Sequence, residues 1–233
     1  MRIALIGDLH GNLPALEAVL RDIQGRGVDA VYCLGDMTGK GPSSPETLDW
    51  ALANCAVVLM GNWDDGIADP ALSFPDLDWY RAQLGEKRLA TLAALPREHF
   101  FRLAGRRIRL LHGRRMTPNV VYSDSPLAWR KALFDTERGP RPQVVGFADV
   151  HRPFYEQING CGTLFNTGSV GNPLAEQPYP SYVLLEGGAG EEEGPLLHAI
   201  VQLPYDREEA VRQALAAEGM PKRDAFVREI RTG

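Results

Sequence analysis

The chain holds only 3 cysteines in 233 residues, Cys33, Cys55 and Cys161, and none of them is in a C-x-x-C spacing. That scarcity excludes a disulfide framework and a thiolate zinc site, and it fits a reducing compartment. Also missing are an apolar run long enough to span a bilayer and a charged leader followed by an apolar signal segment, so the expected location is the cytoplasm, with no membrane partner. Neither sign of charge dominates. The 25 Lys and Arg against 30 Asp and Glu leave −5, which gives no electrostatic reason to bind bulk nucleic acid. No internal repeat and no inter-domain linker is visible, so one domain over residues 1–233 is expected. What is present is a globular mix, 44% hydrophobic and 24% charged, in a chain long enough to bury a sizeable core.

Short apolar, β-branched runs stop repeatedly at Gly, Asp, Asn or His. They are RIALIGD (2–8), AVYCLGD (30–36), AVVLMGN (56–62), RIRLLHG (107–113) and VVGFAD (144–149), and each predicts a buried strand. TLFNTGS (163–169), SYVLLEG (181–187) and LHAIVQL (197–203) predict strands of a more antiparallel character. EGGAGEEEG (186–194) reads as a solvated hairpin tip between the last two.

Helices fall between the early strands. Asn12 can cap one, with Pro14 in its first turn, Leu16, Val19, Leu20 and Ile23 on one face, and Gly25 and Gly27 at its end. Ser44-Pro45 opens the next, with Leu48, Ala51 and Leu52 turned inward, and a third is expected near 78–94 before Pro96. The β-α-β-α-β order predicts parallel strands joined by right-handed crossovers. The strand-rich later half predicts a second sheet packed on the first. After Pro204, helices over 206–218 and 221–231 form a C-terminal helical tail.

The chemistry gathers at strand ends. Asp8, His10, Asp36, Asn62, His112, Asp149 and His151 each lie at a strand terminus or within two residues of one. At the carboxyl edge of an open α/β sheet the loops converge and ligands bind. Carboxylate, imidazole and amide oxygen suit divalent metals of intermediate hardness, and no thiolate is involved. A single G-D-x-H is explained as well by a turn with a capping Asp. Five such ends in register with five strands are not.

In order along the chain, GDLHGN (7–12), GDMTGKGP (35–42), GNWD (61–64), LLHG (110–113) and FADVHRP (147–153) resemble the motifs of the calcineurin-like metallophosphoesterase superfamily. NTGSVGNP (166–173) followed by SYVLL (181–185) resembles its small bacterial, phosphodiesterase-like branch. The resemblance covers about residues 2–187; it is specific for the superfamily and not for a substrate. It implies an α/β fold, a four-layer α/β/β/α sandwich of two mixed sheets, with a dinuclear centre between loops. Asp8, His10, Asp36 and His151 would hold one ion. Asp36 would bridge to a second held by Asn62, His112 and Asp149. Two ions about 3.5–4 Å apart clamp phosphoryl oxygens and activate a bridging water, with no covalent protein intermediate. Asp36, Asn62 and the position of Trp63 are the expected catalytic positions.

Two positions depart from that pattern. The family reads G-N-H-D or G-N-H-E where this chain has Trp63, and an indole donates a hydrogen bond but transfers no proton. Trp63 is either a packing residue or a stacking platform for a nucleobase or aromatic leaving group. The family reads G-H-T-H where this chain has Ala148-Asp149-Val150-His151, so a carboxylate replaces a metal-binding imidazole. Asp149 either ligates the second ion or only caps a turn. A carboxylate-richer site favours manganese or magnesium, with iron, zinc and nickel left open.

The expected activity is hydrolysis of a small phosphate ester or nucleotide, with phosphodiesters or activated esters favoured by the missing His. The alternatives are a degenerate metal- or nucleotide-binding regulatory protein, and a dinucleoside polyphosphate hydrolase or phosphoprotein phosphatase. Asn12 is a candidate phosphate contact at a helix N-terminus. Arg114 and Arg115 follow His112, and Arg114 is a candidate phosphate clamp. Lys40 reads most simply as solvated, His99 and His198 as ordinary structural residues, and Ser169 as part of a tight turn. The oligomeric state is left open.

Overall fold

The computed structural model describes residues 1–114 and 116–233; Arg115 lies outside the described residues. Its first sheet has β1 (Arg2–Ile6) beside β2 (Ala30–Cys33) and β3 (Val57–Val58), all parallel. β9 (Ser181–Gly187) and β10 (Leu196–Gln202) extend the other edge antiparallel, giving the order β10-β9-β1-β2-β3. The second sheet runs β4 (Glu98–Leu103), β5 (Arg106–Leu111), β6 (Val144–Phe147), β8 (Gly162–Asn166), β7 (Phe154–Ile158). Both sheets are mixed, as expected.

Side-chain alternation explains the layers. On β1, Ile3 and Leu5 enter the core between the sheets, while Ala4 and Ile6 face the helices. On β9, Val183 and Leu185 point inward and Tyr182 and Leu184 outward in the same way. The helices on that outer face are α1 (Leu13–Gly25), α2 (Ser44–Asn54) and α4 (Pro75–Ala93), contributing Leu16, Val19, Leu48, Ala51 and Leu84. The layer over the second sheet is thin. It is made by Val121, Leu133 and Phe134, around the short helix α5 (Leu127–Ala132), against Leu111, Val145 and Phe147.

Several expectations need correction. The last two strands return to the first sheet, where β9 pairs antiparallel with the free edge of β1 and β10 pairs antiparallel with β9. The run 56–62 yields just a two-residue strand, since Asn62 already begins α3 (Asn62–Ala68), a helix the sequence reading passes over. Leu52 is 39% exposed; the buried stripe is Ser44, Thr47, Leu48 and Ala51, and Leu52 falls off it. The edge strands β4 and β7 also escape the sequence reading, because their apolar alternation is broken by charged and polar residues. The tail forms as α6 (Arg207–Ala216) and α7 (Arg223–Thr232) around Ala210, Val211, Phe226 and Ile230. Among the described residues, no helix is long and apolar enough to cross a membrane.

One buried ion pair fixes the β4–β5 hairpin to the thin outer layer. Arg109 Nε lies 2.8 Å from Glu98 Oε2, and its Nη1 donates to the carbonyls of Leu133 at 2.8 Å and Asp135 at 2.7 Å. Arg109→Ala would strand the carboxylate and two carbonyls. We expect a loss of about 3 kcal/mol, the lower end for a broken buried pair because Arg138 also reaches Glu98. A urea midpoint that falls with unchanged slope checks it, and a loss below about 1 kcal/mol refutes it.

Candidate metal centre

The loops after β1 and β2 are zipped together by main-chain bonds: Asp8 N–H to Gly35 O, His10 N–H to Asp36 O and Gly11 N–H to Met37 O. The loop after β8 closes over them through Gly171 N–H to Asp8 O and Ser169 Oγ to Asp8 O. Ser169 thus supports the site with its hydroxyl as well as its turn. Two glycines make the β2 and β3 loops meet. A Cβ on Gly61 would lie 2.0 Å from Asp36 Oδ1, and Gly35, at φ 103°, would place one 2.5 Å from Gly61 N.

The backbone is strained where the candidates sit. Asp8 (φ 53°), His10 (44°), Asp36 (53°), Asp149 (75°) and His151 (58°) all occupy the left-handed region, as does Lys40 (58°). Non-glycine residues adopt that conformation at a cost, and clusters of them mark functional sites.

Each imidazole is aimed. His10 Nδ1 donates to Thr38 O at 3.1 Å, His112 Nδ1 to Leu34 O at 2.8 Å, and His151 Nδ1 to Asn172 O at 2.5 Å. A carbonyl only accepts, so these partners assign the protons to Nδ1 and direct all three Nε2 atoms inward. His10 Nε2 and His151 Nε2 face each other at 3.2 Å, an arrangement that requires a proton or a cation between two lone pairs. Asp8 Oδ1 is fully buried and accepts no hydrogen bond among the described residues, yet it lies 3.3 Å from His151 Nε2, 3.7 Å from His10 Nε2 and 3.9 Å from His112 Nε2. These donors fit a divalent ion.

Two groups of potential ligands result, Asp8 with His10 and His151, and Asp8 with Asp36 and His112. Asp8 belongs to both groups, and Asp36 Oδ2 also faces both sides, 3.7 Å from His10 Nε2 and 3.4 Å from His112 Nε2. Asn62 Oδ1 stands 3.1 Å from His112 Nε2, beside the second group. Asp149 lies further out, with Oδ1 4.0 Å from His112 Nε2. Its carboxylate takes the backbone N–H of Arg114 at 3.1 Å and lies 3.3 Å from the Arg114 Nε.

Charge is balanced by neighbours. Burial opposes ionisation of Asp8 and Asp36, but the facing histidines hold both carboxyls below their ordinary value. Burial likewise disfavours a charged His112, yet Asp36, Asp8 and Asp149 raise it to about 10. Burial drives His10 down to about 3, which leaves it neutral with its Nε2 lone pair available.

The remaining candidates separate. Asn12 does cap α1 through Ala15 N–H, but its amide donates to Gly171 O and Tyr205 OH, and the residue is 1% exposed. Both polar atoms of its side chain are thus engaged within the fold. Lys40, read as solvated, is half-buried and donates to Asn172 Oδ1. Arg114, Lys40, Trp63, Asp149 and His151 line a cleft of about 130 Å³. Trp63 donates its backbone N–H to Asp36 Oδ1 at 2.8 Å, and its ring meets the His10 ring edge-on at 5.9 Å. His99 and His198 take no part; they pack against Phe101 and Phe165.

Sequence reasoning missed Asp64. This fully buried carboxylate accepts from Asp36 N–H (2.7 Å), Gly61 N–H (3.0 Å), and Thr38 N–H and Oγ1, tying the β2 loop to the start of α3. The signal was there: an acid three residues after the Gly61 N-cap is a capping spacing.

A family model described as the calcineurin-like phosphoesterase superfamily domain matches residues 1–189. The chain belongs to this superfamily. Its fold is similar to that of a metallophosphoesterase from Sphaerobacter thermophilus, with TM-score 0.76 and 24% identity over 100% of this chain and 99% of that one. It is also similar to a hypothetical protein from Pyrococcus horikoshii, with TM-score 0.79 and 20% identity over 98% and 97%. A symmetrical bis(5'-nucleosyl)-tetraphosphatase from Neisseria meningitidis is 28% identical over 160 residues, 55% of this chain and 58% of its own length. An uncharacterized Methanocaldococcus jannaschii protein is 42% identical over 65 residues, 28% of this chain and 27% of its own. The chain thus spans well under two thirds of these two curated relatives.

The shared position of Asp8 and the raised His112 generate a prediction. Loading metal-free protein at neutral pH should release about one proton as the ion displaces it from His112. Titration calorimetry in buffers of different ionisation enthalpy reads this directly, and buffer-independent heats would refute it. Asp8→Asn should lose metal from both groups, and equal metal content by elemental analysis would overturn the shared-ligand assignment.

Proposed function

We propose that this chain is a metal-dependent hydrolase of phosphate esters, acting on phosphodiesters or activated esters of small nucleotide-like molecules. The observation that carries the reading is the unsatisfied Asp8 oxygen ringed by three inward-aimed imidazoles, in a chain of this superfamily. Divalent ions held by Asp8, His10, Asp36, Asn62, His112, Asp149 and His151 would supply Lewis-acid charge and a water nucleophile at neutral pH. Three carboxylates in that set favour manganese or magnesium over softer ions.

The chain's own residues supply the rest. Arg114 and Lys40 bring cationic groups to the cleft, matched to the negative oxygens of a phosphate. Burial pushes the Lys40 ammonium below its ordinary value, while Glu229, Asp8 and Asp36 oppose that shift and help keep its charge. Trp63 offers no proton to a departing alcohol. A general acid is worth about 10²–10⁴ in rate, so without one at this position the leaving group must depart unassisted. Aryl and polyphosphate leaving groups meet that condition, and the name of the Neisseria relative supports a nucleotide. Residues 1–233 are read as one phosphoesterase domain, supported by the return of β9 and β10 to the first sheet.

One observation favours a second reading. Arg114 holds both oxygens of Asp149, as expected if Asp149 only steadies its loop and a single ion serves a binding or regulatory role. Metal stoichiometry separates the two. Asp149→Ala should lose the second ion, keep the first and lose most activity; unchanged stoichiometry would favour the regulatory reading. For substrate choice, the Mn²⁺-loaded protein should hydrolyse bis(4-nitrophenyl) phosphate with at least about a hundredfold higher kcat/KM than diethyl phosphate, whose alkoxide departs poorly without an acid. Trp63→His should then narrow that gap about tenfold or more by restoring a general acid. A Trp63→His variant that leaves the gap unchanged would sink this account of Trp63.

A further inference from the structure

A second cavity, of about 220 Å³, adjoins the metal cleft. The two share Lys40 and Trp63 as lining residues, so they meet at these side chains. Trp63 forms the partition. Its ring meets His10 edge-on at 5.9 Å on the metal side and Tyr80 edge-on at 6.2 Å on the other. Gly39 makes this placement possible, since a Cβ there would lie 2.3 Å from Trp63 Cε3. The far wall is Ala225 and Phe226 on α7, in residues beyond the 1–189 matched by the family model.

The walls and the polar groups differ in kind. Trp63, half-buried, presents aromatic surface suited to a flat ring, and Tyr80 and Phe226, each 2% exposed, back the lining. The acidic side chains on the lining, Asp76 and Glu229, offer carboxylate acceptors. Glu229 is set in place by Asn172 Nδ2 at 2.9 Å, and Asp76 by Lys222 at 3.1 Å across the gap between α4 and α7. Lys222 also lines the pocket but is paired with Asp76, while the metal cleft carries Arg114, with Lys40 at the junction. A ligand that spans both cavities is therefore anionic at one end and, at the other, an aromatic ring with N–H donors on its edge.

We propose that this pocket receives the amino-bearing nucleobase of a nucleotide whose phosphate occupies the metal centre. The proposal rests on the phosphoesterase reading above and adds the base-recognition site to it. The C-terminal helix is then part of the substrate site. Its Glu229 touches Asn172, whose carbonyl orients His151, so the same contact anchors the helix beside the metal ligands.

The test is the affinity of metal-loaded protein for adenosine monophosphate against inorganic phosphate, by calorimetry, in the parent and in Ala225→Phe, which fills the pocket. Stacking a base is worth about 1–3 kcal/mol, so the nucleotide should bind the parent about tenfold or more tighter than phosphate. Ala225→Phe should remove that advantage while phosphate affinity stays within about twofold, because no ligand of the metal centre has changed. Uridine monophosphate, with no exocyclic amine, should bind the parent severalfold more weakly than adenosine monophosphate. Ala225→Leu, a smaller intrusion, replaces the phenylalanine variant where that one fails to fold. Phosphate binding with no nucleotide advantage, or a nucleotide advantage that survives a folded pocket-filling variant, overturns the pocket and leaves the phosphoesterase reading standing. Equal binding of the two nucleotides overturns the amino-edge assignment. Failure of both phosphate and nucleotide to bind overturns the proposal together with the reading beneath it.

Discussion

Everything at this site depends on how three buried imidazoles are held. Their Nδ1 hydrogens are committed to the carbonyls of Thr38, Leu34 and Asn172, which turns three Nε2 atoms toward the Asp8 carboxylate, whose inner oxygen finds no hydrogen-bond partner among the described residues. A buried polar atom without a partner costs about 1–3 kcal/mol, and buried charges cost more unless paired. The fold accepts this cost together with five left-handed candidate ligands. Such arrangements persist only where the surroundings over-determine them. Here the surroundings are the zipped loops of β1 and β2, the closing turn at Ser169 and the four donors gathered on Asp64.

That dependence explains what could be read from the sequence. Strand ends are legible because apolar runs must stop where backbone turns toward a ligand, and all seven candidates do converge around one cleft or its floor. The parallel opening of the fold was legible for the same reason, since β-α-β spacing leaves few topologies. The route of the last strands was not. Nothing local in SYVLL or LHAIV says which sheet edge is free, because pairing is decided by edges made elsewhere in the chain. Asn12 shows a different limit. Its cap role is local and was read correctly, but its amide is claimed by Gly171 and Tyr205, 159 and 193 residues away. Lys40 is drawn in by Asn172 at a similar remove. Asp64 sat in a motif already noticed, but its role is to accept from loop N–H groups that meet it only after folding.

The tail extends this coupling beyond the superfamily domain. Asn172 binds three elements at once: its carbonyl accepts from His151, its Oδ1 from Lys40, and its Nδ2 donates to Glu229 of α7. Trp79 on α4 donates to Glu218 O, which fastens the segment between α6 and α7 to the same helix that carries Tyr80. Tail docking and histidine orientation thus share one asparagine. A displacement of α7 would remove Glu229 from the Asn172 side chain, leaving Asn172 held by its backbone N–H on Ser169 Oγ.

If Asp149 takes part in holding a second ion, its pairing with Arg114 bears on whether that ion binds. With an imidazole at this position, Arg114 would face a neutral group and be free for phosphate. With a carboxylate, the arginine has a partner inside the protein, and burial, the leading influence on Asp149, raises its carboxyl above the ordinary value and disfavours its charge. The arginine resists that shift, as does His112. A second cation arriving beside Asp149 would do the same and would repel Arg114 in the process. The exposed guanidinium would then be released toward the cleft where a substrate phosphate must sit. One substitution can therefore link ion occupancy to the availability of a phosphate-binding arginine, because the carboxylate is the common partner of both.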